Sequence, residues 1–131
     1  MTSQHDALFA LYTQSWENKD ITQFLACLTD DVTITECYGA TYIGKTEAQK
    51  WFQNWTAPVE NQVVKWDIFA EFEDGVKNTD FFNWRFSYVY QGQANVFEGL
   101  SQVTFSDTGK IVEIKEYQMV FDKTRPYLAS K

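Results

Sequence analysis

The sequence has one histidine and two cysteines, and each shortage excludes a kind of chemistry. With His5 as the sole imidazole, no metal site can be built from several histidines. A Ser-His or Cys-His pairing would have to draw its base from that one residue. His5 stands in the polar N-terminal stretch and reads as a surface side chain. Cys27 and Cys37 make no disulfide framework, and no CxxC pair, phosphate-cradling glycine loop or dinucleotide fingerprint occurs. No apolar run approaches membrane-spanning length. No charged and then apolar leader opens the chain, so the expected compartment is cytoplasmic with reduced thiols, and the glycosylation pattern Asn54-Trp55-Thr56 carries no weight. Positive charge is short as well. Eleven Lys and Arg against 18 Asp and Glu leave −7, which argues against a nucleic-acid surface. No metal and no organic cofactor is expected from these patterns.

Rings, by contrast, are abundant: 11 Phe, seven Tyr and five Trp exceed what a minimal core needs, and favour a lined cavity or a broad buried interface. The 131 residues suit a single domain, 1–131, with a core over about 5–121 and a C-terminal tail over 123–131. Leu8, Leu11, Tyr12, Ser15 and Trp16 form one stripe of an amphipathic helix. Asp20 with Gln23 caps a second helix that buries Ile21, Phe24, Leu25 and Leu28. Thr46 with Gln49 caps a third, presenting Ala48, Trp51, Phe52 and Trp55 before Pro58 stops it.

Between the last two helices lies TDDVTITECYG, residues 29–39. In a strand Val32, Ile34 and Glu36 point to one face, which aims a carboxylate where the aliphatics go. From about residue 62 the period changes to two. Val64, Trp66, Ile68, Ala70 and Phe72 form one row, and Phe82, Trp84, Phe86, Tyr88 and Tyr90 another. A strand over about 94–106, the Ser106-Asp107-Thr108-Gly109 turn and a final strand to about 122 complete the chain. Helices first and long strands last predict an α+β fold. Three N-terminal helices pack on a strongly curved, mostly antiparallel sheet that forms a cone with an internal cavity.

The stretches LYTQSWENKDITQFLACLTDDVTI, YGATYIGKTEAQKWF and FEGLSQVTFSDTGKIVEIKEY, in that order, resemble the NTF2-like superfamily of SnoaL-like polyketide cyclases and ketosteroid isomerases. The resemblance covers about residues 5–121. It implies that Tyr12 falls where the isomerases keep the tyrosine of their oxyanion hole, and Glu36 where they keep the proton-shuttling carboxylate. Ser101 replaces their neutral aspartic acid, a departure from the pattern. Glu116 lies near the acid/base position of the cyclases and is placed to replace the missing acid. An epoxide hydrolase of this superfamily would want an Asp-Arg-Asp arrangement, which this chain does not assemble.

The expected partner is therefore a small hydrophobic, carbonyl-bearing molecule in the cone, held by Trp16, Trp51, Trp55, Trp84, Phe86 and Phe97. Glu36, Tyr12, Ser101 and Glu116 would be the catalytic residues of a cofactor-independent isomerase or cyclase. A bland reading stands beside this one. Glu36 could sit at a strand end and reach solvent or pair with Arg85, leaving a ligand-binding or interaction module. Arg85 itself is read as a surface ion pair. The aromatic row of Trp84, Phe86, Tyr88 and Tyr90 either lines the cavity or covers an outer sheet face, and a homodimer through the sheet using some of these rings is expected.

Overall fold

Short-range signals start and stop the helices. In the computed structural model, which describes residues 3–128, the Ser3 hydroxyl accepts from the Asp6 amide at 3.0 Å and opens α1, Gln4–Asn18. Asp20 accepts from Gln23 N at 3.1 Å and opens α2, Ile21–Ala26. Each cap satisfies an amide that the first helical turn leaves without a partner. The third helix, α3 (Gly44–Thr56), has Ile43 rather than Thr46 at its cap, and Glu47 Oε1 accepts from Ile43 N at 2.8 Å. The buried stripe of α1 is also rotated from the expected one: Phe9, Tyr12 and Trp16 enter the core while Leu11 stays 42% exposed.

Six strands follow or separate these helices: β1 Leu28–Thr35, β2 Thr41–Ile43, β3 Gln62–Asp74, β4 Thr79–Tyr90, β5 Gln93–Phe105 and β6 Ile111–Val120. They form one open sheet in the order β2-β1-β6-β5-β4-β3, in which only β1 and β6 run parallel. The helices cover its inner face. Phe9 stacks on Phe82 with centroids 4.2 Å apart, and Phe24, Phe52, Val103, Ile111 and Ile114 complete a continuous core.

Bulges bend the long strands and flip the parity of their side chains. One follows the last turn, between Thr104/Phe105 and their partners on β6, so Ile111 and Ile114 both face inward. Two more lie in β3, between Val63 and Lys65 and between Ile68 and Ala70. They overturn the single alternating row read from the sequence. Val63 is buried and Val64 exposed, Phe72 lies outside, and Glu71 turns toward the helices.

The rows on β4 and β5 face the helices, so Trp84, Phe86, Tyr88 and Tyr90 belong to the inner face. A dimer through the outer face cannot use them. That face carries Arg85, Glu98 and Lys123, with the Glu98 carboxylate bridging Arg85 at 3.4 Å and Lys123 at 2.7 Å. Arg85 also lies over the Phe121 ring. Arg85 is thus the surface ion pair expected.

Candidate active site

Glu36 follows β1 directly and opens a tight bend, in which Glu36 N donates to Ala40 O and Gly39 N to Glu36 O, both at 2.9 Å. The bend folds β2 back on β1 so that Tyr42 pairs with Ile34. This brings the Tyr42 hydroxyl to Glu36 Oε1, to which it donates at 2.8 Å. The Tyr42 ring is itself stacked on Trp51, 4.7 Å away and nearly parallel. Half-buried, Glu36 has its carboxyl raised above the ordinary range by burial, with the Tyr42 hydrogen bond pulling the other way.

A second carboxylate faces the first. Glu116 on β6 lies opposite Ser101 on β5, and its Oε2 is buried without a partner. Burial pushes Glu116 up to about 8, the Glu36 charge adds to the rise, and the Ser101 hydroxyl opposes it. Ser101 is oriented in turn: its Oγ accepts from Trp84 Nε1 at 2.9 Å, which leaves the O–H for Glu116. At neutral pH this is a carboxyl kept mostly protonated beside one that ionises more readily, the division that acid–base catalysis uses.

Glycine makes the Trp84 position possible. Gly99 pairs with Trp84 across β4 and β5, and the indole lies over the place where a Cβ would be. That Cβ would fall on the Tyr117 carbonyl oxygen and 2.6 Å from the Trp84 ring. Gly99→Ala should therefore destabilise the chain by about 1–3 kcal/mol and part Trp84 from Ser101. A lower melting temperature with an altered tryptophan emission maximum would show both effects.

Two neighbouring spaces share Glu36 in their linings. An inner chamber of about 100 Å³ is walled by rings, with Glu36, Cys37 and Glu116 as its ionisable groups besides Tyr38 and Tyr88. Beside it lies a groove of about 1130 Å³ between α3 and the end of β4, lined by Tyr38, Tyr42, Trp51, Trp55, Tyr88 and Tyr90 among others. The chamber is well below the size of an ordinary small-molecule pocket, whereas the groove exceeds it. A ligand's body therefore fits the groove, and only its edge fits the chamber.

The rings named from the sequence, Trp16, Trp51, Trp55, Trp84, Phe86 and Phe97, all stand on the chamber wall, as do Glu36 and Glu116. Ser101 is one layer back, behind Glu116 and Trp84. Tyr12 is fully buried among Phe9, Phe24 and Trp66 and is not on that wall. Its hydroxyl and Trp16 Nε1 lie near each other without a well-formed hydrogen bond. Burial first, then the Glu116 charge, raises the Tyr12 hydroxyl well above its ordinary range. Tyr42 and Trp66 were missed. Tyr38-Gly39 reads from the sequence as a bend and Thr41 to Ile43 as a short extended piece, and pairing that piece back on β1 puts Tyr42 beside Ile34 and within reach of Glu36.

Residues 9–114 match the family model described as the SnoaL-like domain. No curated protein matches the sequence. Solved structures share its fold. An LEH-like epoxide hydrolase of M. tuberculosis superposes with a TM-score of 0.78 at 15% identity, over 92% of this chain and 86% of that one. A protein of Xanthomonas campestris pv. campestris assigned as a polyketide cyclase gives 0.72 at 18% identity, over 87% and 89%. One of Kribbella flavida assigned as a ketosteroid isomerase gives 0.72 at 16% identity, over 99% and 90%. At such identities the likeness is one of architecture.

Proposed function

The chain belongs to the SnoaL-like domain family, and from that premise we propose that it binds a small, flat, hydrophobic carbonyl compound and moves a proton on it, as a cofactor-independent isomerase or cyclase. The observation that carries this reading is the pairing of Glu36 with Glu116 at one ring-walled chamber, the first half-buried and the second pushed up to about 8. The body of the ligand lies in the groove against Trp51, Trp55 and Tyr88, and its carbonyl edge enters the chamber. Ionised Glu36 takes a proton α to the carbonyl. The electron pair of that C–H bond moves to the oxygen, which neutral Glu116 meets with a hydrogen bond or a proton. Return of the proton to another carbon gives isomerisation, and attack of the enolate on a second carbonyl closes a ring. The working range lies above the Glu36 transition and below about pH 8, where Glu116 loses its proton. The epoxide hydrolase neighbour does not lend its activity, because Arg85 lies on the outer face with Glu98.

A second reading, ligand binding without turnover, draws on the enclosed position of Tyr12, which offers no donor to a carbonyl in the chamber. One experiment separates the two. Aryl alkyl ketones incubated with the protein in D₂O should lose their α-proton NMR signal at a rate proportional to protein concentration. Quenching of tryptophan fluorescence without exchange would leave only the second reading. Neither quenching nor exchange across the series would sink both.

The homodimer is likewise a proposal, and belongs to the outer sheet face. Phe72, Tyr117 and Met119 are 58%, 51% and 58% exposed there, an apolar surface that association would cover. Sedimentation velocity should show a species of twice the chain mass, reverting to the single chain in Met119→Lys. A single-chain species throughout the micromolar range would remove the proposal.

A further inference from the structure

The first turn of α1 lies against the far ends of β3 and β4, eight residues along β4 from Tyr88 and so about 26 Å of strand away from the groove. Three carboxylates from three elements meet there: Asp6 of α1, Glu71 of β3 and Asp80 of β4, with one oxygen of each within 4.8 Å of the others. Asp6 Oδ1, Glu71 Oε2 and Asp80 Oδ2 are all buried and without hydrogen-bond partners. The bulge between Ile68 and Ala70 creates this meeting, because an unbroken alternation would have kept Glu71 on the outer face.

Asp80 is the residue that points to a missing occupant. Its side chain is only 2% exposed, and Oδ1 takes His5 Nδ1 at 3.2 Å while Oδ2 takes nothing. His5 is not the free surface side chain expected from the sequence. It is stacked on Phe105 with centroids 3.8 Å apart and planes 4° from parallel, which fixes the face it turns to Asp80. Among the described residues, no Lys or Arg side chain forms an ion pair with the three.

We propose that Asp6, Glu71 and Asp80 bind a hard divalent cation, with His5 orienting Asp80 from behind rather than acting as a ligand. All three free atoms are carboxylate oxygens, the donors that magnesium, calcium and manganese prefer. Two ligands of one such ion stand at most about 4.2–4.8 Å apart for bonds of about 2.1–2.4 Å, and the three oxygens lie within 4.8 Å of one another. The hydrogen bond from an imidazole to the second oxygen of a ligating carboxylate is the usual outer support of such a site. The four residues are separated by up to 75 positions in the chain, and no motif joins them.

The test titrates MnCl₂ into the full chain after EDTA treatment and removal of the chelator, following free Mn²⁺ by electron paramagnetic resonance. About one ion per chain should be taken up, with a melting temperature that climbs with metal concentration. CaCl₂ or MgCl₂ in excess should compete. Asp80→Asn, Glu71→Gln and Asp6→Asn should each weaken uptake at least about tenfold, and His5→Ala about 10–100-fold, while Asp107→Asn in the exposed turn binds as the wild type does. Three ligand variants keep the test readable should one of them not fold. No uptake and no thermal response to any of the three cations at millimolar concentration would overturn the proposal, as would wild-type uptake by the folded ligand variants.

Discussion

Glu36→Gln should slow the α-proton exchange of a bound ketone about 10²–10⁴-fold, the range expected for loss of a positioned general base, while the ketone still quenches tryptophan fluorescence. Glutamine has nearly the shape of glutamate, and its amide oxygen can still accept the 2.8 Å hydrogen bond from Tyr42. The walls of the groove are untouched, so binding should change little. What disappears is the lone pair that takes the proton. Tyr42→Phe provides a finer check. The Tyr42 hydrogen bond favours the ionised form of Glu36 and lowers it, so its removal should move the acid limb of the pH–rate profile to higher pH. Exchange at the full wild-type rate in Glu36→Gln would take Glu36 out of the chemistry.

Glu116→Gln should melt on the order of 10 °C above the wild-type chain at pH 9, and level with it at pH 4. Folding raises Glu116 from an ordinary 4.5 to about 8, so the folded chain holds the proton more tightly than the unfolded one. The stability tied to that proton is complete below the unfolded value near 4.5. It drains away as pH climbs toward about 8 and is gone above it. At about 1.4 kcal/mol per unit, the loss is on the order of 3–5 kcal/mol. Glutamine has no proton to lose and avoids it. In the proposed reaction the same substitution replaces the acidic O–H offered to the enolate oxygen with an amide N–H that can donate a hydrogen bond but no proton, so a stability gain should come with a loss of turnover. Thermal melts at pH 4, 7 and 9 decide the matter. Parallel curves for the two proteins would mean that Glu116 reaches solvent. Because the Glu36 charge is the second cause of the rise, the gain should shrink in a Glu36→Gln background.

Local signals made much of this fold legible. The cap at Asp20, the turn at Ser106 to Gly109 and the ring row on β4 depend on neighbours a few positions away, and each leaves a trace in the chain. The bulges at Val64 and Phe69 leave none, since they answer to curvature imposed by distant strands. Everything beyond them in β3 was accordingly assigned to the wrong face, Glu71 included. The helical stripe was misjudged for a related reason. Leu11 and Phe9 are equally apolar, and only the stacking partner Phe82, brought from β4, decides between them. In the site, Glu36 and Glu116 followed from strand parity and from counting along a resemblance. The short extended piece Thr41 to Ile43 can be read from the chain, but the reach of the Tyr42 hydroxyl to Glu36 depended on how that piece pairs. The convergence of Asp6, Glu71 and Asp80 depended on tertiary structure alone.

The contrast between a groove of about 1130 Å³ and a chamber of about 100 Å³ that share Glu36 in their walls makes the chamber a gauge of width and not of length. For the carbonyl ligands proposed above, long substituents directed outward should be tolerated almost indifferently, while branching next to the carbonyl should be rejected however well the remainder stacks. Regiochemistry would then be settled before any bond is broken, by which end of a molecule is slim enough to pass.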